Sequence, residues 1–206
     1  VLAETLRDFN NVKVVQADVM EVDLHQLIQD EFSGLDVLVC ANLPYYITSP
    51  VIMKLLEEKL PVESLTVMVQ KEAAVRICAA PGTRACGAVS VAVQYYSQPQ
   101  ILFDVPRDCF FPAPNVDSAV IRLNIRKEPP VKLETEEKQF FKLVKAAFGQ
   151  RRKTVLNSLN TGLGKSKEEL SAALQQAGIE PTARAEQLTM EQFGTLCNLL
   201  FPNKTK

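Results

Sequence analysis

The sequence predicts an α/β fold followed by a small all-helical unit, and three observations predict it. Short β-branched apolar runs at 35–41, 64–69, 100–105 and 119–125 are separated by segments of helical spacing, such as 50–60. Strand-and-helix alternation of this kind builds an open sheet covered by helices. The run 35–41 ends in a polar and aromatic stretch, Asn42-Leu43-Pro44-Tyr45-Tyr46, as does a strand whose carboxyl end faces a ligand crevice. Beyond Pro129-Pro130 the apolar residues recur at helical spacing alone.

Taken in order, residues 1–6 read as a helix already under way, with no capping signal and no initiator Met, and Asn10-Asn11 stops it. Residues 12–18, rich in valine and ending at Asp18, read as a strand. A helix follows at 24–32 with Gly34 behind it; His25, the single histidine, is expected on its surface. The apolar run 35–41 reads as a buried strand of a parallel sheet. After the central motif, Thr48-Ser49-Pro50 announces a helix through a hydroxyl cap and an early proline. That helix turns Val51, Ile52, Leu55 and Leu56 inward.

The strand 64–69 runs into Gln70-Lys71-Glu72 and a helix. Residues 81–87 form a loop. Alternating Val89, Val91 and Val93 argue for a strand over 88–96. Phe110-Phe111-Pro112-Ala113-Pro114-Asn115-Val116-Asp117-Ser118 is a proline-stiffened loop, with Phe111 expected beneath it in the core. Residues 127–132 form the linker. Phe140, Phe141, Val144, Ala147 and Phe148 share one helix face, Gly149 breaks it, and a new helix is expected from Arg151 to Leu159. Amphipathic helices at 167–176 and 190–200 complete the chain. Thr161-Gly162-Leu163-Gly164-Lys165-Ser166 lacks the earlier glycine of a phosphate-binding loop, because position 159 is Leu.

Composition sets a weak frame. With 206 residues, 47% hydrophobic and 23% charged, the chain is long enough for one or two domains with a real core and too apolar for disorder. Its apolar runs are strand-length, which argues against a membrane span, and no signal peptide pattern is present. Five cysteines in no C-x-x-C pair argue against a disulfide framework or zinc site and fit a reducing cytoplasm.

Charge is unevenly divided. Residues 1–126 hold 10 Lys+Arg against 15 Asp+Glu, net −5, and residues 127–206 hold 13 against 9, net +4. Between Lys138 and Lys167 lie eight bases and no acid. A solvated helix face mixes signs, so this run favours a polyanionic partner. If about five of these bases meet the phosphates of a single-stranded polyanion, the salt slope is roughly −3.5.

The central motif suits one chemistry. An amine conjugated to an aromatic ring is a poor nucleophile because its lone pair is delocalised. Two acceptors in the plane of its N–H bonds, the Asn42 side-chain oxygen and the Leu43 carbonyl, would hold it and favour pyramidalisation. Pro44 would keep that carbonyl aimed, and Tyr45 would stack the ring.

These residues resemble the Asn-Leu-Pro-Tyr motif of S-adenosylmethionine-dependent adenine N6-methyltransferases. Together with the Gln-Lys-Glu junction, the Phe-x-Pro-x-Pro-x-Val-x-Ser loop and Arg151-Arg152-Lys153-Thr154, they resemble the bacterial small-subunit ribosomal RNA adenine dimethyltransferases. The resemblance spans essentially the whole chain. It implies an incomplete Rossmann-like S-adenosylmethionine methyltransferase domain over 1–126, lacking its first βαβ portion, then a helical RNA-binding domain over 133–206. It also implies a helix over 88–96. Asp18 would accept from the adenine amine of the methyl donor, S-adenosylmethionine, with Asn42 beside the transferred methyl. Asn42, Leu43, Pro44, Tyr45 and Phe110 would form the catalytic slot, with Tyr45 and Phe110 stacking an adenine drawn out of its helix. Lys145, Arg151, Arg152 and Lys153 would bind RNA, and no metal is required.

The implied partner is immature small-subunit RNA, met in the cytoplasm by a monomer, and no membrane. This stretch of chain alone is expected to be inactive or impaired. Two alternatives stay open: a non-catalytic ribosome-assembly module, and a large-subunit methyltransferase of the macrolide-resistance class.

Overall fold

The computed structural model describes residues 1–202. Two helices, α1 (Leu2–Thr5) and α2 (Leu24–Phe32), precede strand β1 (Leu38–Asn42). Helix α3 (Thr48–Glu57), strand β2 (Ser64–Gln70) and helices α4 (Lys71–Ile77) and α5 (Ala88–Tyr96) follow. Strands β3 (Ser97–Val105) and β4 (Ser118–Ile125) close a mixed sheet of order β1-β2-β4-β3. β1 runs parallel to β2, while β4 is antiparallel to both β2 and β3. The carboxyl ends of β1 and β2 therefore meet the start of β4 along one edge, with Asn42 paired to Met68 and Gln70 to Ser118.

The inner strands carry the first core. Leu65, Val67, Val69, Ile121 and Leu123 are completely buried beneath Val51 and Ile52 of α3. The expected inward face of α3 is thus the observed one. Its cap is not: the helix begins at Thr48, whose hydroxyl donates to the Pro44 carbonyl at 3.2 Å, and Pro50 sits within the first turn, where no intrahelical N–H is needed. Residues 88–96 form a helix despite the alternating valines, and Val91, Ala92, Val93 and Tyr95 are buried around it. Contacts on several sides remove the amphipathic signature that periodicity reads.

Two other expectations in the first part of the chain are corrected. Residues 12–18 form no strand, and Val12, Val14 and Val15 are exposed. β-branched composition suits a pleated surface but cannot supply the ladder partner that a strand requires, and none lies beside this segment. β1 is not buried either; it pairs with β2 alone, and Leu38 is 61% exposed.

The helical part comprises α6 (Glu137–Ala147), α7 (Val155–Leu163), α8 (Lys167–Gln176) and α9 (Met190–Leu200); residues 203–206 lie outside the described residues. Its core centres on Phe140, Leu143, Leu159, Leu170, Leu174 and Phe193, and it extends onto α5 at Val91 and Tyr95. Gly162 lets α6 and α7 touch: a Cβ there would lie 2.7 Å from the Ala146 Cβ. The helix expected from Arg151 starts later. Thr154 caps α7 by accepting from the Asn157 N–H at 3.4 Å, leaving Arg151, Arg152 and Lys153 in the exposed turn ahead of it.

Candidate active site and nucleic-acid interface

The central motif leaves the sheet at the carboxyl end of β1. The Leu43 N–H continues the ladder by donating to the Met68 carbonyl at 3.3 Å, and its side chain is 93% buried, being 7% exposed. Burial of this one side chain fixes the turn, so that its neighbour Asn42 stays exposed at the strand end. Among the described residues, nothing hydrogen-bonds to the Asn42 carboxamide or the Leu43 carbonyl. Two acceptors at a sheet's carboxyl edge are thus left open to a ligand.

Tyr45 begins a single 3-10 turn and is 36% exposed. Its hydroxyl and that of Ser118 share a hydrogen bond of 2.8 Å, joining the motif to the end of the proline-rich loop. The loop is clamped at its neck. Arg107 donates from its backbone N–H at 3.1 Å and its Nε at 2.9 Å to Asp117, and from its terminal guanidinium nitrogen to the Asn115 carbonyl at 2.7 Å. These bonds hold Asp117 below the usual carboxylate range. The Lys71 N–H adds a bond to the Asp117 carbonyl at 3.0 Å, and the Lys71 ammonium reaches Asp104 at 2.7 Å, which raises its proton affinity.

The Gln-Lys-Glu junction therefore anchors the loop. Phe110 is half-buried at the loop's start, while Phe111 stands fully exposed. The expectation of a core Phe111 fails because the clamp turns the loop's tip outward over no packing surface.

A cleft of about 630 Å³ opens beside this site, between the start of α3, α4, the loop 84–90 and the helical part. Ser49, just past the motif, lines one end; Arg76, Arg84, Arg151 and Lys153 line it with a single carboxylate, Glu186. Local bonds aim its walls. Ser90 accepts from the Gly87 N–H at 2.8 Å and donates to the Arg76 carbonyl at 2.6 Å, which pins the loop to α4. Cys86 packs beneath, its thiol pushed up to about 11 by burial.

Of the four bases expected to meet RNA, Arg151 and Lys153 face this cleft, whereas Arg152 and Lys145 are exposed elsewhere. Arg76 and Arg84 were missed because they lie in the net-acidic part of the chain, where a running charge count hides them. Asp18 sits in a turn, its Oδ1 accepting from the Met20 N–H at 2.8 Å. His25 is on the surface, as expected, and its Nε2 donates to the Glu58 carbonyl at 2.8 Å. Among the described residues no cluster of His, Cys, Asp and Glu converges on a metal, and no helix is long and apolar enough to cross a membrane.

A sheet with this order, carrying Asn-Leu-Pro-Tyr at a strand's carboxyl end, is similar to that of the Rossmann-like methyltransferases, as two solved structures show. The solved dimethyladenosine transferase from Plasmodium falciparum superposes with a TM-score of 0.71 at 24% identity, over 93% of this chain and 73% of that one. The 23S rRNA methyltransferase ErmE superposes at 0.65 with 25% identity, over 97% of this chain and 76% of that one. Among curated relatives, the ribosomal RNA small subunit methyltransferase A of Alkaliphilus metalliredigens is 53% identical over 197 residues, 95% of this chain and 68% of the relative. Its counterpart from a Geobacillus species is 49% identical over 204 residues, 97% of this chain and 70% of the relative. Residues 1–201 match the family model for ribosomal RNA adenine dimethylase, and the chain belongs to that family. It is accordingly a methyltransferase with S-adenosylmethionine as its methyl donor.

Proposed function

We propose that the protein transfers methyl groups to N6 of two adjacent adenosines near the 3′ end of small-subunit ribosomal RNA, acting as a monomer on the immature subunit in the cytoplasm. The observation that carries this reading is the juxtaposition of an open Asn42–Leu43 acceptor pair with a cleft lined by four cations. The relatives' small-subunit name supports it over large-subunit specificity. The open acceptor pair supports it over a purely structural assembly role, since binding alone requires no such arrangement.

Residues 1–126 form the methyl-transfer part and residues 133–206 the RNA-binding helices, joined at 127–132. The adenine amine donates to the Asn42 and Leu43 oxygens, which hold it as its nitrogen pyramidalises. Tyr45 and Phe110 stack the extruded base, with Pro44 stiffening the turn. S-adenosylmethionine supplies an electrophilic methyl; the new N–C bond forms as its S–C bond breaks, and the amine proton leaves to solvent. The residues present fit one end of that donor. Asp18 keeps one carboxylate oxygen clear of the Met20 bond, available to an adenine amine, and Asn42 lies at the acceptor end. Arg151 and Lys153 hold phosphates with Arg76 and Arg84, while Arg152 and Lys145 extend the positive surface.

Mass spectrometry of RNA from unmethylated small subunits, incubated with the full-length protein and donor, tests the reading. Paired dimethyladenosines are expected near the 3′ end. Product on large-subunit RNA instead, or binding without product, would overturn it.

A further inference from the structure

Helices α5 and α6 lie side by side and antiparallel, and both ends of the pair are recognisable. Ala88, Val89 and Ser90 at the start of α5, with Ala147 and Phe148 at the end of α6, line the basic cleft. At the other end, one carboxylate ties the helices together. Glu137 of α6 accepts from the Tyr96 hydroxyl at 2.6 Å, from the Tyr95 hydroxyl at 3.5 Å and from the Lys59 ammonium at 2.9 Å. Burial, with the nearby Glu137 carboxylate, raises both tyrosines above the usual phenol range, so they remain donors.

The packing beneath is aromatic. Tyr95 lies 5.0 Å from Phe140 and Tyr96 lies stacked 5.3 Å from Phe141, so the carboxylate closes an otherwise apolar contact. Lys59 supplies an independent observation. At φ 51° it is the one non-glycine residue with positive φ among the described residues. Lys59 follows the C-cap Glu58 of α3, where a left-handed residue is the usual helix stop and glycine is the residue that adopts it at least cost. From that turn the Lys59 side chain reaches the first residue of α6.

We propose that Glu137, gripping Tyr96 and Lys59, is a positioning residue that sets the width of the RNA cleft at the far end of the α5–α6 pair. It acts through Arg151 and Lys153, which lie in the turn beyond α6, past Phe148, Gly149 and Gln150, and which the helix carries toward or away from Arg76 and Arg84. The lever is the helix itself, roughly 15 Å long at 1.5 Å per residue. Beside the grip a cavity of about 360 Å³, bounded by Leu55, Tyr96, Arg126 and Pro129, leaves the Lys59–Glu137 pair room to part. The proposal rests on the cleft as the RNA site.

The test is a double-mutant cycle on RNA affinity in the full-length protein, pairing Lys59→Gly with Lys153→Ala. Glycine suits a positive φ, so Lys59→Gly removes the ammonium while relieving the backbone, and thermal stability should not fall. RNA affinity should nevertheless fall about three- to fivefold, with the double variant losing less than the product of the single losses. Methyl transfer at saturating RNA should be unchanged. Glu137→Gln, which keeps an acceptor for Tyr96, should reproduce part of the loss. Multiplicative losses, or an affinity that simply tracks melting temperature across these variants, would overturn the positioning role and leave the cleft intact as the RNA site. If Lys153→Ala alone leaves affinity unchanged, the cleft reading itself fails and the proposal fails with it.

Discussion

The motif at the end of β1 and the basic cleft beside it are near neighbours built on opposite principles. Around Asn42 and Tyr45 the charges are paired with one another, in the Arg107–Asp117 clamp and the Lys71–Asp104 bridge, and Leu43 is the one buried anchor. The cleft gathers four cations from two separately packed parts of the chain, with one acid among them. Orientation is the resource at the first, where the reacting amine must be held within a fraction of an ångström. Charge is the resource at the second, where phosphates are held through long side chains and counterions are released. Damage to the two regions should therefore appear in different measurements: turnover for the motif, affinity and its salt dependence for the cleft.

The largest separation is expected from Asn42→Ala. Loss of one of two acceptors should lower single-turnover methyl transfer by about 100-fold or more, by analogy with removal of a transition-state hydrogen bond. Filter-binding affinity for the small subunit should change by less than about twofold, since Asn42 is not among the residues lining the cationic cleft. Gly162→Ala tests the converse. With only 2.7 Å available to the new Cβ against Ala146, α7 must shift from α6, costing about 1–3 kcal/mol in chemical denaturation. The turn at Arg151–Lys153 should move with it, weakening RNA binding without reducing the rate at saturation.

Lys153→Ala isolates the electrostatic part. It should reduce the magnitude of the salt slope by about 0.7 and weaken all RNAs alike. Tyr45→Phe should be milder, because it keeps the stacking ring and removes only the bond to Ser118, worth about 0.5–1.5 kcal/mol. Rates should fall several-fold with RNA affinity unchanged.

The smallest effect is acid loosening of the proline-rich loop. Asp117 binds its proton less readily folded than unfolded, so its contribution is complete above the ordinary value of 3.8 and is lost as pH falls through the depressed folded value. Amide exchange of the loop should rise only in that acid window, and Asp117→Asn should abolish the dependence.

Much of this architecture can be read from the sequence, and the exceptions share a cause. The strands at 64–69 and 119–125, the inward face of α3 and the paired motifs are legible because local periodicity and turn chemistry specify them. Residues 12–18 mislead because valine content describes a surface that fits a sheet, while the pairing that makes a strand is non-local. The valines of α5 mislead in the other direction, since a helix buried on several sides has no polar face to betray its period. Phe111 reads as core by composition, yet its direction is set by Arg107 and Asp117, ten residues apart with no local pattern that links them.

At the candidate site, Asn42, Tyr45 and Lys153 are legible through motif and charge run. Arg76 and Arg84 are not, because the cleft exists only once α4 and the helical part meet. A count along the chain sees their acidic neighbours instead.

The most direct test of this division of labour is single-turnover methyl transfer to unmethylated small subunits across a full titration of subunit concentration, comparing Asn42→Ala with the double variant Arg151→Ala/Lys153→Ala in the full-length protein. The account predicts that the cleft variant regains the wild-type rate at saturation, whereas Asn42→Ala stays at background at every concentration. Recovery of Asn42→Ala at saturation, or a saturated rate for the cleft variant as low as that of Asn42→Ala, would contradict it.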